Sequence, residues 1–262
     1  MSRIYTFVNQ KGGVGKTTTS INLGAYLAEA GQRVLLVDLD PQANTTSCLG
    51  IDKLGVKSGT YETLVGIGST ADSILHNSKL KMSLLPSSPS LAGAEIELVN
   101  EMARENRLRD ALSDLLPRYD YVLIDCPPSL GLLTLNGMVA AKDGLIIPVQ
   151  CEYLALEGLG MLMDTVDRVR KALNKKLKIR GVLLTMFDSR TNLSQEVVDE
   201  VRGYFNDQVF ETIVPRNIRL AEAPSHGLPI SAYFPNSPGA EAYKEFAQEV
   251  LEQDGKAVGV AR

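Results

Sequence analysis

Apolar residues fall in short runs along the chain, separated by glycine, proline and charged residues. The first run, Ile4 to Val8, has the length of a buried strand. Over residues 16–30 the spacing becomes helical: Ile21, Leu23, Ala25, Leu27 and Ala28 are apolar, and Gly31 supplies a stop. Runs at 33–37, 81–85, 121–125, 145–150 and 181–187 repeat the strand pattern. Helical spacing returns at 93–116, where Pro117 is the predicted stop, and at 156–173, 193–205 and 241–253. The stretch 43–90 has a weaker pattern. It predicts short helical pieces at 61–65 and 71–75 and a loop at 86–89.

Strand and helix alternation along nearly the whole chain predicts an α/β fold, a mostly parallel twisted sheet with helices on both faces. With 262 residues and 44% hydrophobic content, the chain can bury the core of one such domain, and no linker-like stretch divides it. Neither an apolar segment of membrane-spanning length nor a charged-then-apolar leader is present, so a cytoplasmic protein is expected. The three cysteines, Cys48, Cys126 and Cys151, are odd in number and widely spaced, which suggests neither a disulfide framework nor a Cys-x-x-Cys metal site. A net charge of −4 argues against coating nucleic acid with the whole surface but permits a local basic patch. The densest basic run, Arg168 to Arg180, has the form of a solvated helix end.

Chemistry concentrates where the first strand meets the first helix. Asn9-Gln10-Lys11-Gly12-Gly13-Val14-Gly15-Lys16-Thr17-Thr18-Thr19 is a glycine-rich turn between strand and helix. Glycines let the backbone approach a polyphosphate with several N–H groups turned inward, and the helix adds the positive end of its dipole. Lys16 is placed for the β- and γ-phosphates and the Thr17 hydroxyl for Mg²⁺. Strict Walker spacing asks for glycine at position 10, where this chain has Gln10, and a second lysine, Lys11, opens the loop.

Two acidic strand ends follow. Asp38-Leu39-Asp40-Pro41-Gln42 closes the second predicted strand, and Val122-Leu123-Ile124-Asp125-Cys126-Pro127-Pro128 has the form of a Walker B strand. In a parallel sheet, both carboxyl ends face the ligand crevice.

Lys-Gly-Gly-Val-Gly-Lys-Thr-Thr at 11–18 resembles the deviant Walker A box of the ParA/MinD ATPases, and the boxes at 38–42 and 125–131 fit the same family. The resemblance covers almost the entire chain and is closest to the chromosomal ParA (Soj-like) branch. It implies a P-loop NTPase fold, with Mg²⁺ and ATP held by Lys11, Gly12, Gly13, Val14, Gly15, Lys16, Thr17 and Thr18. By the same resemblance, Lys11 reaches the phosphate of a second subunit, Asp40 positions the attacking water, Asp38 supports the metal's water shell and Asp125 faces the metal. Residues 127–131 are then the segment that senses the γ-phosphate.

In the family, the segment that here runs Ile213 to Gly227 meets adenine and DNA, which assigns Pro215 and Asn217 to the base and Arg219 to nucleic acid. A surface ion pair of Arg219 with Glu222 is the competing reading. Arg190, in Arg190-Thr191-Asn192, is assigned to DNA by the same route. The function so implied is an ATPase that dimerises on ATP and binds double-stranded DNA without sequence preference on the nucleoid. A ParB-type partner stimulates it, and together they partition chromosomal or plasmid DNA. Because nothing precedes the first strand, operator-specific binding is not expected. A MinD-like membrane-associated ATPase is the alternative; it calls for a basic amphipathic carboxyl-terminal helix, which residues 254–262 do not resemble. An iron–sulfur reductase would draw on Cys126 and Cys151, and a metabolic ligase would need a further substrate pocket.

Overall fold

The computed structural model describes residues 1–153 and 157–256. The strands are β1 Arg3–Phe7, β2 Val34–Asp38, β3 Leu75–Asn77, β4 Met82–Leu85, β5 Tyr121–Asp125, β6 Gly144–Gln150, β7 Ile179–Phe187 and β8 Val209–Pro215. They form one sheet in the order β3-β4-β2-β5-β1-β6-β7-β8. Only the edge strand β3 is antiparallel, pairing Leu75 with Leu84. All other pairings are parallel, as the alternating pattern requires.

The period of two along each strand divides the core between the faces. Tyr5, Phe7, Leu36, Tyr121 and Leu123 pack on one side, under α1 (Lys16–Glu29) and α11 (Pro238–Gln253). Ile4, Leu35, Val37, Val122 and Ile124 pack on the other. That second face is covered by α4 (Leu91–Glu97), α5 (Arg107–Leu112), α6 (Leu132–Ala140), α7 (Glu157–Ala172) and α8 (Asn192–Phe205). Phe246 of α11 is fully buried against Phe210 in an edge-to-face pair with centroids 4.8 Å apart, and burial of a ring that size stabilises the docked helix by roughly 2–3 kcal/mol.

Two sequence expectations are corrected. The single helix predicted at 93–116 is broken: α4 ends at Glu97, Ala103 sits in the left-handed region at φ 55°, and α5 begins only at Arg107. A tertiary contact holds that break, since the Asn136 side chain of α6 accepts from Leu108 N (3.1 Å) and donates to Arg104 O (3.0 Å). Pro117 lies inside a closing 3-10 turn, Ser113–Arg118, rather than terminating an α-helix. The piece predicted at 71–75 is a 3-10 turn, Thr70–Ser73, and Leu75 belongs instead to β3.

Several elements had no signal. α2 (Asn44–Cys48), α9 (Ile218–Glu222) and α10 (Ile230–Tyr233) are too short for a period to register, whereas α3 (Thr60–Val65) coincides with the piece predicted at 61–65. α6 is buried nearly all round, so it carries no amphipathic stripe. β8 falls where only a ligand-facing segment was expected. The predicted start of the helix at 156–173, and residues 257–262 of the tail, lie outside the described residues.

Candidate nucleotide site

β1 delivers the chain into the glycine turn, and α1 leaves it at Lys16. Gly13 and Gly15 adopt φ values of 76° and 91°, which side chains larger than hydrogen resist. The turn is pinned from several sides. Asn9 accepts from Lys11 N (3.0 Å) and donates to Pro148 O (2.8 Å), while Thr185 at the end of β7 donates to Val14 O (2.9 Å). Gln10, the departure from strict Walker spacing, donates to Gly158 O in the first turn of α7 (2.9 Å), so a side chain ties the loop where glycine could not.

The two lysines are in unlike states. Lys16 is buried, its Nζ donates to Lys11 O (3.2 Å), and burial lowers its pKa against the pull of Asp125. Lys11 is half-buried, and its ammonium takes no hydrogen-bond or ion-pair partner among the described residues.

β2 and β5 bring the carboxylates to the same end of the sheet. Asp125 Oδ2 accepts from the hydroxyls of Thr17 (2.6 Å) and Thr45 (2.8 Å), while its Oδ1 is buried with no partner. Burial raises the Asp125 pKa to about 6. An orphaned carboxylate oxygen beside a hydroxyl suits a hard divalent cation. Among the described residues no cluster of three His, Cys, Asp or Glu gathers, so such a cation would complete its shell with water and phosphate oxygens. Asp38 has no solvent exposure, and both its oxygens are engaged: Oδ1 by Asp40 N (3.2 Å), Oδ2 by Thr46 N (2.8 Å) and the Thr46 hydroxyl (2.7 Å). It therefore orders the α2 segment. Asp40 lines the groove, with one oxygen fixed by Gln42 N at 2.9 Å.

Gly12, Gly13, Lys16, Thr17, Asp40 and Pro128 line a groove of about 320 Å³. Next to it is a pocket of about 390 Å³, bounded by Val214, Pro215, Asn217, Ile218, Leu220 and Tyr243. Gly15, Thr18 and Met186 line both. A groove that presents Lys16, Thr17 and Asp40 and leads into a more apolar slot fits a polyphosphate with a planar base. Asn217 spends its carbonyl oxygen capping α9, on Arg219 N at 2.8 Å, which leaves its amide N–H groups for a ligand.

A family model described as an AAA domain matches residues 2–179. The sporulation initiation inhibitor protein Soj of Bacillus subtilis is 56% identical over 95% of this chain and 98% of its own. The chain belongs to the ParA/MinD family of ATPases. Within it the Soj/ParA branch is marked again by the chromosome partitioning protein ParA of Myxococcus xanthus, 54% identical over 97% of this chain and 89% of that one. A solved structure of Mycobacterium smegmatis cobyrinic acid a,c-diamide synthase with bound ATP analogue and magnesium superposes with a TM-score of 0.86 at 40% identity, covering 97% of this chain and 96% of that one.

In this ParA/MinD-family chain the arginines singled out for DNA stand apart from the groove, on the surface. Arg190 precedes α8, highly exposed, and grips Asp188 through two nitrogens at 2.8 and 2.7 Å. Arg219 makes the ion pair with Glu222 that was the competing reading, at 2.7 Å, and lies over the Phe234 ring. From the basic run, Arg170 donates to Leu177 O in the loop that follows α7, and Arg180 is packed between Tyr5 and Asp254. Cys126 and Cys151 are buried, each 1% exposed. No helix among the described residues is long and apolar enough to cross a membrane. Thr45, Thr46, Ser87 and Met186 were missed by sequence reasoning. Their only trace was the hydroxyl pair three residues beyond Gln42 and a serine turn between two prolines.

Proposed function

We propose that this chain, acting as one domain, is a Mg²⁺-dependent ATPase that partitions chromosomal or plasmid DNA. ATP makes it a dimer, the dimer holds double-stranded DNA without sequence preference on the nucleoid of the cytoplasm, and a ParB-type partner stimulates an otherwise slow hydrolysis. The observation that carries this reading is the unlike pair of lysines on one loop. Lys16 turns inward beneath the glycine turn, whereas the Lys11 ammonium has no partner among the described residues. A cation so placed is available to the triphosphate of a second subunit, so loss of the γ-phosphate weakens the clasp.

The remaining roles follow from position. Gly12 to Thr18 cradle the phosphates, and Pro215 and Asn217 border the base slot. Thr17 and Asp125 would hold Mg²⁺, with Asp38 behind them fixing α2. Bound Mg²⁺ supplies charge neutralisation at the phosphate oxygens. Asp40 orients the water that displaces ADP from the terminal phosphorus, work of positioning rather than covalent chemistry. The Mycobacterium smegmatis structure bears the name of an amide-forming synthase, yet the relatives named for partitioning are the more similar in sequence, 56% and 54% against 40%.

The deciding experiment is sedimentation of the parent and Lys11→Ala with Mg²⁺ and either ATP or ADP. The parent is expected to dimerise with ATP only, and Lys11→Ala to stay monomeric while still binding ATP. An unchanging monomer in the parent would overturn the switch, and an ATP dimer in Lys11→Ala would overturn the role of Lys11.

A further inference from the structure

The turn after β4 lies beside the acidic strand end, and its contacts go to polar groups rather than to the core. Ser87 is fully buried. Its hydroxyl donates to Asp40 O (2.8 Å), and its backbone N–H donates to the Thr46 hydroxyl (2.9 Å), which in turn donates to Asp38 Oδ2 (2.7 Å). Asp40 N closes the circuit on Asp38 Oδ1 at 3.2 Å. Both backbone polar groups of Asp40 are thus fixed, its carbonyl also receiving Ala43 N (2.8 Å).

The serine itself is anchored from α3. Thr60 N donates to Pro86 O at 2.9 Å, and Gly59 lies so close that a Cβ there would meet Pro86 O at 2.2 Å. Parallel pairing of Val37 with Leu85 sets the height of the turn against β2. Ser87, Asp38 and Ala43 therefore meet on one backbone unit, the one that carries the groove-lining carboxylate, with Thr46 and the start of α3 behind them.

We infer that Ser87 and Thr46 are positioning residues for hydrolysis: the Ser87 hydroxyl holds the Asp40 carbonyl, and the Thr46 hydroxyl holds Ser87 N and Asp38, the two groups that bind the Asp40 backbone, so that the Asp40 carboxylate keeps its place beside the phosphate groove. This rests on the reading of Asp40 as the residue that orients water. A displacement of about an ångström in such a group can lower a rate by up to roughly 10²-fold while leaving substrate affinity untouched. Ser87 does not line the groove, and the one acceptor of its hydroxyl is the Asp40 carbonyl, which makes Asp40 its direct route to the reaction.

The test is single-turnover hydrolysis of Mg²⁺-ATP, with equilibrium binding of a fluorescent ATP analogue and the melting temperature measured on the same samples. Ser87→Ala, Thr46→Ala, Thr46→Ser, Asp40→Ala and the Ser87→Ala/Asp40→Ala double variant are compared with the parent. Ser87→Ala and Thr46→Ala are expected to slow hydrolysis about tenfold or more with analogue affinity within about twofold of the parent. Thr46→Ser, which keeps the hydroxyl, restores the parent rate. The double variant is no slower than Asp40→Ala alone, because both changes act through one carboxylate. Parent-like hydrolysis in Ser87→Ala, equal losses of rate and affinity, additive losses in the double variant, or failure of Ser87→Ala to fold would each overturn the inference. Parent-like hydrolysis in Asp40→Ala would instead overturn the assignment of Asp40 itself, which keeps the two failures distinct.

Discussion

Asp38 and Asp125 stand in register at the ends of neighbouring parallel strands, both cut off from solvent. Each is raised first by burial, and Asp38, raised to about 7, is raised further by the charge of Asp125. The hydroxyls of Thr17, Thr45 and Thr46 offset part of that cost. Two adjacent buried carboxylates are a poor way to stabilise a fold. They make sense where a cation is to be received.

A pH dependence of stability follows for the protein without nucleotide or metal. An acid whose native pKa lies above its unfolded value of about 4 binds its proton more tightly when folded. Its contribution is therefore favourable at low pH and is lost as pH rises through the native value. With native values of about 6 and about 7, the loss falls between roughly pH 4 and 7. The melting temperature in chelator is expected to drop from pH 5.5 to pH 8. Asp125→Asn should at least halve that drop, since it removes one acid and the repulsion on the other. An undiminished drop in the variant would assign the effect to other groups.

The approach of α6 to the sheet gives a packing prediction. A Cβ at Gly137 would lie 2.6 Å from Cys126 Sγ and 3.0 Å from Thr6 Cγ2. Alanine gains up to about 1 kcal/mol over glycine in helix propensity. Overpacking a buried seam costs about 1–3 kcal/mol, and here it dominates because the neighbours belong to β1 and to the residue after Asp125. Gly137→Ala is expected to lower the denaturation midpoint in urea. A higher midpoint would show that the seam can open without loss.

What the sequence showed and what it concealed divide on physical grounds. That the glycine turn and the strand ends carrying Asp38, Asp40 and Asp125 face one crevice was legible because the carboxyl ends of parallel strands open on the same side of a sheet. The parallel sheet was legible because its strands, buried on both faces, are continuous apolar runs. The partners of the acids were not, because a buried hydroxyl such as Ser87 or Thr46 has no periodicity, and its role depends on a neighbour up to 47 residues away. The break near Ala103 was hidden for the same reason, being held by Asn136 from another helix. The pair of Arg219 with Glu222 was readable from their spacing of three residues, but its place over the Phe234 ring was not.

In the proposed cycle, hydrolysis is separable from assembly at Asp40. Its carboxylate lines the groove but makes no hydrogen bond or ion pair with Lys16 or Thr17, so its removal should leave nucleotide binding and dimerisation intact. Asp40→Ala is expected to dimerise with ATP and to turn over roughly 10²-fold more slowly than the parent. Rapid turnover in a phosphate-release assay would show that another group orients the water.

DNA binding should be read from salt dependence as well as from affinity. Arg190 and Arg219 are exposed arginines each paired with a half-buried acid at the surface, where ion pairs are worth little, so a phosphate can replace the carboxylate at small cost. Each phosphate neutralised contributes about 0.9 to the slope of log affinity against log salt. A dimer presents each arginine twice, so Arg190→Ala or Arg219→Ala should reduce that slope by roughly 1.8, with no change in sequence preference. The measurement is titration of a fluorescent duplex with the ATP-bound protein at several salt concentrations, with an ADP control that shows little retention. An unaltered slope in both variants would place the nucleic acid on some other surface. A change in one alone would identify which arginine faces the duplex.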